Sequence, residues 1–241
     1  MTTPLFPGGV AVSGLRVYDW EAEDGCRGGS PHLHTASSEG YVVTAGSGEV
    51  HTVSATGRAV HRLEPGEVVW FSPGTVHRLV NQGDLELVVV MQNAGLPEAG
   101  DAVLTFPAAV LDDPVAYAAA ATLPADAGDA ERADAARARR DLATRGYLEL
   151  LDDLERRGDA ALAELHARAA RLVQPRVAHW QSLWESTVAA ETERTREQLV
   201  ALASGAPGLL GEAGVVRGEP APGERRYGMC GRLQTWEWPS A

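Results

Sequence analysis

Apolar positions in the first hundred residues recur in short alternating or continuous runs. They fall at 15–20, 41–45, 49–53, 60–63, 68–71, 76–80, 85–91 and 103–106. Gly, Pro, Asn and Asp separate them, as in Gly46-Ser47-Gly48, Glu64-Pro65-Gly66 and Gln82-Gly83-Asp84. Many short strands punctuated in this way predict a sandwich or barrel. The pattern changes after Pro107. An alanine-rich stretch over 108–123 predicts a short helix. Residues 129–157 carry Ala, Arg, Leu and Glu at helical spacing, with Gly146 as a weak point. Asp159 is placed to cap a helix that runs to Leu172. Pro175 suits the first turn of a further helix ending at Ser204, ahead of Gly205.

Along that last helix Val177, Trp180, Trp184, Val188, Glu191, Thr195, Leu199 and Leu202 form one stripe. Such a stripe fits packing on the barrel or a neighbouring helix, or equally a homodimer seam. Residues 205–223, rich in Gly, Pro and Glu, read as a linker. Tyr227, Met229, Trp236 and Trp238 follow, and a disordered tail rarely concentrates such residues. The tail is therefore expected to dock, with a strand around 232–238. The expected fold class is α+β: a β-barrel over 1–106, a helical region over 107–205, and a linker with a docked aromatic tail over 206–241.

Composition narrows the function. The 241 residues are 44% hydrophobic, enough for a sizeable core without staples. Cys26 and Cys230 are the two cysteines, too few for a disulfide framework, which points to a reducing, cytoplasmic setting. Met1-Thr2-Thr3-Pro4-Leu5 lacks the basic start and apolar run of a signal peptide. No apolar stretch approaches the ~18 residues needed to span a bilayer. Net charge is −12; residues 1–106 carry 12 acids and 5 arginines, and residues 107–205 carry 17 acids and 12 arginines. Neither region offers the basic footprint of a nucleic-acid binder, and the acidic excess disfavours anionic membranes. All 21 basic residues are arginine, so Schiff-base chemistry on lysine is excluded.

The candidate chemistry sits in two short segments. The first holds His32, His34, Glu39 and Gly46; the second runs Pro73-Gly74-Thr75-Val76-His77 and on to Asn81. Residues two apart on a strand share a face, so His32 and His34 can both point into a barrel, and Glu39 shares its side with Tyr41. Three imidazoles and one carboxylate suit a divalent transition metal with coordination positions left open. Fe, Mn, Ni, Co and Zn all remain compatible.

Taken jointly, the two segments resemble the paired motifs of the cupin superfamily: His32–Gly46 is similar to the first motif and Gly66–Asn81 to the second. Two positions depart, Cys26 where the family usually has Gly and Ser72 where it usually has Pro, and neither supplies a ligand. The resemblance implies a small β-barrel whose interior holds one divalent metal on His32, His34, Glu39 and His77. The resemblance covers less than half of the chain and does not extend to residues 107–241.

Other residues carry weaker expectations. Glu39 and Tyr41 are candidate catalytic groups. Trp70 and Phe71 lie on opposite faces of one strand, so one of them should face the cavity. Cys26 is placed to approach the barrel mouth, and Arg225 and Arg226 to clamp an anionic substrate if the tail folds over. His51, His61, His166 and His179 are expected to be structural or on the surface.

Three function classes follow: a dioxygenase-type enzyme acting on a small polar metabolite, slightly ahead; a sugar isomerase, epimerase or lyase; and a metal-dependent binding or sensing protein. The expected partner is a small molecule, and the expected assembly a homodimer.

Overall fold

A computed structural model of the chain describes residues 6–237; Trp238 of the expected tail strand lies outside them. The first seven strands are β1 Ala11–Val17, β2 His32–His34, β3 Glu39–Ser54, β4 Gly57–Leu63, β5 Val68–Phe71, β6 Val76–Met91 and β7 Ala102–Leu104. The frame is the antiparallel pair β3 and β6, sixteen residues each, registered from Glu39 opposite Met91 to Val53 opposite Val76.

Both strands pass straight through the glycine clusters expected to be turns. The register shifts between Val43 and Gly48 instead, as bulges. Gly46 makes this possible. Its φ is 74°, and a Cβ there would collide with the backbone of Gly83 and Asp84 on the partner strand. Asn81 secures the same bend, its Oδ1 accepting from the amides of Gly83 and Leu85.

Bending lets one strand pair build two facing layers. The halves near Glu39 and Met91 pair outward with β5 and β1; the halves near Val53 and Val76 pair outward with β4 and β2, and β2 pairs with β7. Leu15, Tyr41, Val50, Leu79, Leu87 and Val89 fill the space between. Phe71 shares the inward face of Glu39 and Tyr41, which leaves Trp70 outside and 74% exposed.

The expected helix over 108–123 is two, α1 Ala108–Leu111 and α2 Pro114–Ala121. Asp113 divides them: its carboxylate caps α2 through the amides of Val115 and Ala116, and Pro114 takes the first helical position. Helix α3, Asp129–Arg157, is continuous over 29 residues. Gly146 is a docking point within it, not a weakness, because a Cβ there would collide with the backbone of Thr105 to Pro107. Helix α4 is Asp159–Val173, and its cap position is Gly158, whose φ of 60° suits glycine; Asp159 sits in the first turn and makes no capping bond.

The expected helix from Pro175 is a rod in segments: a 3-10 turn Gln174–Arg176, α5 Val177–Trp184, a π turn Glu185–Ala189 and α6 Ala190–Ala203. The π turn breaks the 3.6-residue register that placed the stripe on one face. Trp180 alone of the stripe is buried, donating Nε1–H to Ala99 O, while Trp184, Leu199 and Leu202 are exposed. A second core lies between helices and barrel, built from Leu33, Val53, Phe106, Tyr147, Leu162 and Trp180. No helix among the described residues is long and apolar enough to cross a membrane.

The tail adds further strands. Its strands are β8 Glu219–Pro220, β9 Arg226–Tyr227, β10 Gly231–Gln234 and β11 Trp236–Glu237. Strand β10 pairs with the outer edge of β1, β9 extends the sheet, and β11 pairs with β8.

Candidate metal centre

His32 and His34 leave β2 on the layer that also carries His77 at the start of β6, and His32 is directly opposite His77 in the register. Glu39 comes from the first residue of β3 on the facing layer. One potential ligand atom from each of these four buried residues lies within 4.8 Å of every other.

Each imidazole is anchored from behind. Nδ1 of His32 lies 2.9 Å from Ser30 O, Nδ1 of His77 lies 3.1 Å from Thr75 O, and Nδ1 of His34 lies 2.7 Å from Asp101 Oδ1. All three partners are acceptors, so each Nδ1 carries the proton and each Nε2 faces inward. This is the outer-shell arrangement that fixes tautomer and ring orientation in metal-binding histidines.

The inward atoms crowd one point. Nε2 of His32 and Nε2 of His77 are 3.1 Å apart. Glu39 Oε2 lies 2.9 Å from His77 Nε2 and 3.3 Å from His34 Nε2, yet has no hydrogen-bond partner. Nitrogen and carboxylate donors converging in a buried place, with an orphaned oxygen among them, fit a cation.

Burial sets the protonation around this point. It depresses His32 well below the usual imidazole range, helped by His77 and His34. Burial also opposes a charge on His34, but the hydrogen bond to Asp101 and the neighbouring Glu39 carboxylate prevail and raise it to about 10. For Glu39 burial works upward, and the neighbouring His77 and His34 hold it well below the carboxylate range all the same. Burial and the Glu39 charge push Tyr41 well above its usual value, and the same two causes do so for Cys230. Tyr41 lies fully buried, its hydroxyl without a hydrogen-bond partner.

The cluster opens through His34 and Glu39 into a cavity of about 230 Å³. Leu15, Val89 and Met91 of the barrel line it, with Pro97 and Glu98 of the following loop and Met229, Cys230, Leu233 and Thr235 of the tail. A larger surface cavity, about 700 Å³, lies along β5 and the Ser72–Thr75 turn and contains none of the four residues. Phe71 stands between, its ring 4.3 Å from that of His77.

Several expected residues lie elsewhere. Cys26 sits on the loop beside Asp24, whose carboxylate accepts from its amide, and does not line the small cavity; the cysteine at the site is Cys230, with Sγ 3.9 Å from His32 Nδ1. Arg225 and Arg226 line a different surface cavity with Asp129 and Glu224 and do not reach the cluster, because β9 lies on the far side of β10. His166 locks the Pro73-Gly74 turn, its Nε2 donating to Gly74 O. His51 pairs with Glu49, His61 lies near Thr52, and His179 is exposed.

Sequence reading missed Asp101, Ser30 and the tail residues. Ser30 and Thr75 act through backbone carbonyls and leave no side-chain signal.

Residues 19–92 match a family model described as a cupin domain, and the barrel is a cupin domain. No curated protein matches the chain. Solved structures similar to it include a conserved protein with a double-stranded β-helix domain from Klebsiella pneumoniae, 20% identical, covering 38% of this chain and 73% of its own, with a TM-score of 0.30. The Streptomyces nucleoside dehydratase Pac13 is 18% identical, covering 41% and 70%, with a TM-score of 0.32. A manganese-containing oxalate decarboxylase from Bacillus subtilis is 18% identical, covering 41% and 25%, with a TM-score of 0.33.

Proposed function

We propose that the cupin domain of this chain is the active centre of a metal-dependent enzyme that acts on a small metabolite, with dioxygenase-type chemistry as the favoured class. One observation carries the reading: three imidazoles, each locked with Nε2 inward, meet Glu39 at the floor of a 230 Å³ cavity. Such pre-orientation is costly to build and serves an electron-accepting centre. His32, His34, Glu39 and His77 hold one divalent ion, which when bound supplies a Lewis-acid or redox centre.

The residues divide the remaining work. Asp101 fixes His34, and the carbonyls of Ser30 and Thr75 fix His32 and His77. Leu15, Val89, Met91, Met229 and Leu233 exclude water from the substrate's flank. Tyr41 keeps its phenolic proton beside Glu39 and does not line the cavity, so it tunes the carboxylate rather than touching substrate. Among the lining residues Glu98 is the one carboxylate outside the cluster, and its Oε2 already accepts from the Gly95 amide. A sugar isomerase needs a free base and polar walls; this cavity is mainly apolar, which favours oxygen as the second reactant.

The test is to load the purified protein in turn with Fe(II), Mn, Ni, Co and Zn and follow metabolite turnover with O₂ uptake. Turnover with O₂ uptake under a redox-active metal is expected. Turnover under Zn without O₂ uptake moves the reading to an isomerase or lyase, and tight metabolite binding without turnover under any metal leaves a binding protein.

A further inference from the structure

The C-terminal tail is a wall of the cavity, not an appendage. Strand β10 pairs with β1 from Gly14 opposite Gln234 to Val17 opposite Gly231. A Cβ on Gly231 would collide with Arg16 O, so the two backbones meet at a distance only glycine allows. The turn before β10 is tied down at both ends. Tyr18 Oη donates to Gly228 O at 2.9 Å, and Arg139 Nη2 donates to the same carbonyl at 2.6 Å. The Tyr18 amide donates to Cys230 O, and the Ser30 amide to Met229 O at 2.9 Å. Ser30 is the residue whose carbonyl holds His32. Met229, Leu233 and Thr235 are thus held at fixed positions around the opening to Glu39 and His34.

The wall has a definite chemistry. Met229 and Leu233 line the cavity together with Leu15, Val89 and Met91, Leu233 lying beside Leu15 in the sheet, and no arginine is among the lining residues. Glu98 at the rim adds a negative charge. An apolar flank gains from burial here. A second anionic group would lose its water without meeting a cation. We infer that the tail wall selects ligands with an oxygen-bearing, metal-binding head and an uncharged apolar body, and rejects dicarboxylates and phosphorylated compounds. This inference rests on the metal reading of the preceding section and adds the class of substrate.

Two isosteric probes share a 2-hydroxy acid head and differ in the body: 2-hydroxyisocaproate carries an isopropyl group where malate carries a carboxylate. Both are titrated into cobalt-loaded full-length protein, with cobalt content measured first and binding read from the cobalt visible spectrum. The expected result is that 2-hydroxyisocaproate binds about tenfold tighter or more. Thr235→Arg, at a half-buried rim position, should shift the preference toward malate, and Leu233→Ala should weaken 2-hydroxyisocaproate several-fold while leaving malate unchanged. Malate binding as tightly in the unaltered protein, neither acid binding, or a Thr235→Arg preference that does not move overturns the selection while the metal reading stands. A protein that takes up no cobalt overturns the metal reading and this inference with it.

Discussion

Two buried polar clusters lie a short way apart in this molecule and are built on opposite rules. Around Arg140, which is 1% exposed, every nitrogen of the guanidinium is paired: Nη1 donates to Trp20 O and Gly28 O, Nη2 to Glu21 O and Nε to Asp141. Around His32, His34, Glu39 and His77 each histidine Nδ1 is satisfied, while the inner atoms face each other with Glu39 Oε2 left without a partner. Buried polar groups that are fully paired hold structure together. Buried groups paired only from behind are aimed at something, and their cost is offset when that something binds. Arg140 pins α3 to the loop leading into β2; the histidine cluster gives up stability to make a receptor.

The strongest way to break this contrast is at Arg140. Arg140→Ala removes the hydrogen bonds of a buried guanidinium to the carbonyls of Trp20, Glu21 and Gly28 and leaves the buried Gly28 O without that partner, and should cost about 3–5 kcal/mol in denaturant unfolding of the chelated protein. A loss below about 1 kcal/mol would show that the arginine is not a structural node.

The next effect is at Asp101, whose carboxylate anchors His34 Nδ1. Asp101→Asn keeps the size but weakens the acceptor at His34 Nδ1, and metal affinity should fall about 10–100-fold. Competition with a chelator of known affinity reads this. An unchanged affinity would mean that His34 does not depend on its anchor.

The smallest effect sharpens the structural side. The carboxylate of Asp24 accepts from both terminal nitrogens of buried Arg78. Burial would raise the Asp24 pKa, but the Arg78 contact lowers it below its ordinary 3.8. A depressed carboxylate contributes stability above its unfolded value and loses it as pH falls through the folded one. Asp24→Asn should therefore lower Tm at pH 7, and the gap to wild type should narrow as pH falls below 3.8. A gap independent of pH would assign the effect to packing alone.

The two clusters also differ in what the sequence made legible. Ligands are side chains whose chemistry is scarce and whose spacing follows the strand, so His32, His34, Glu39 and His77 stood out. Arg140 is one of the chain's 21 arginines, and the backbone carbonyls it binds lie more than a hundred residues away. The strand set was readable from alternation, but Gly46 and Gly83 were misread as turn residues, because a bulge and a turn ask for the same residue types. Gly146 was misread in the opposite sense, as a local helix weakness, when its reason is the non-local approach of residues 105–107. Docking of the tail followed from its aromatic content, yet its seat on β1 and the placement of Met229, Cys230 and Leu233 beside the cluster depend on a pairing across the whole chain.

The central claim is that the inward-facing cluster is a metal receptor. Elemental analysis of the protein purified without a metal-affinity tag, beside its His34→Ala/His77→Ala variant, addresses it directly. The account predicts one divalent ion per wild-type chain, almost none in the variant, and a melting temperature that a chelator lowers in the wild type alone. A variant that retains full metal occupancy, or a wild-type chain that binds no metal when reconstituted, would contradict it.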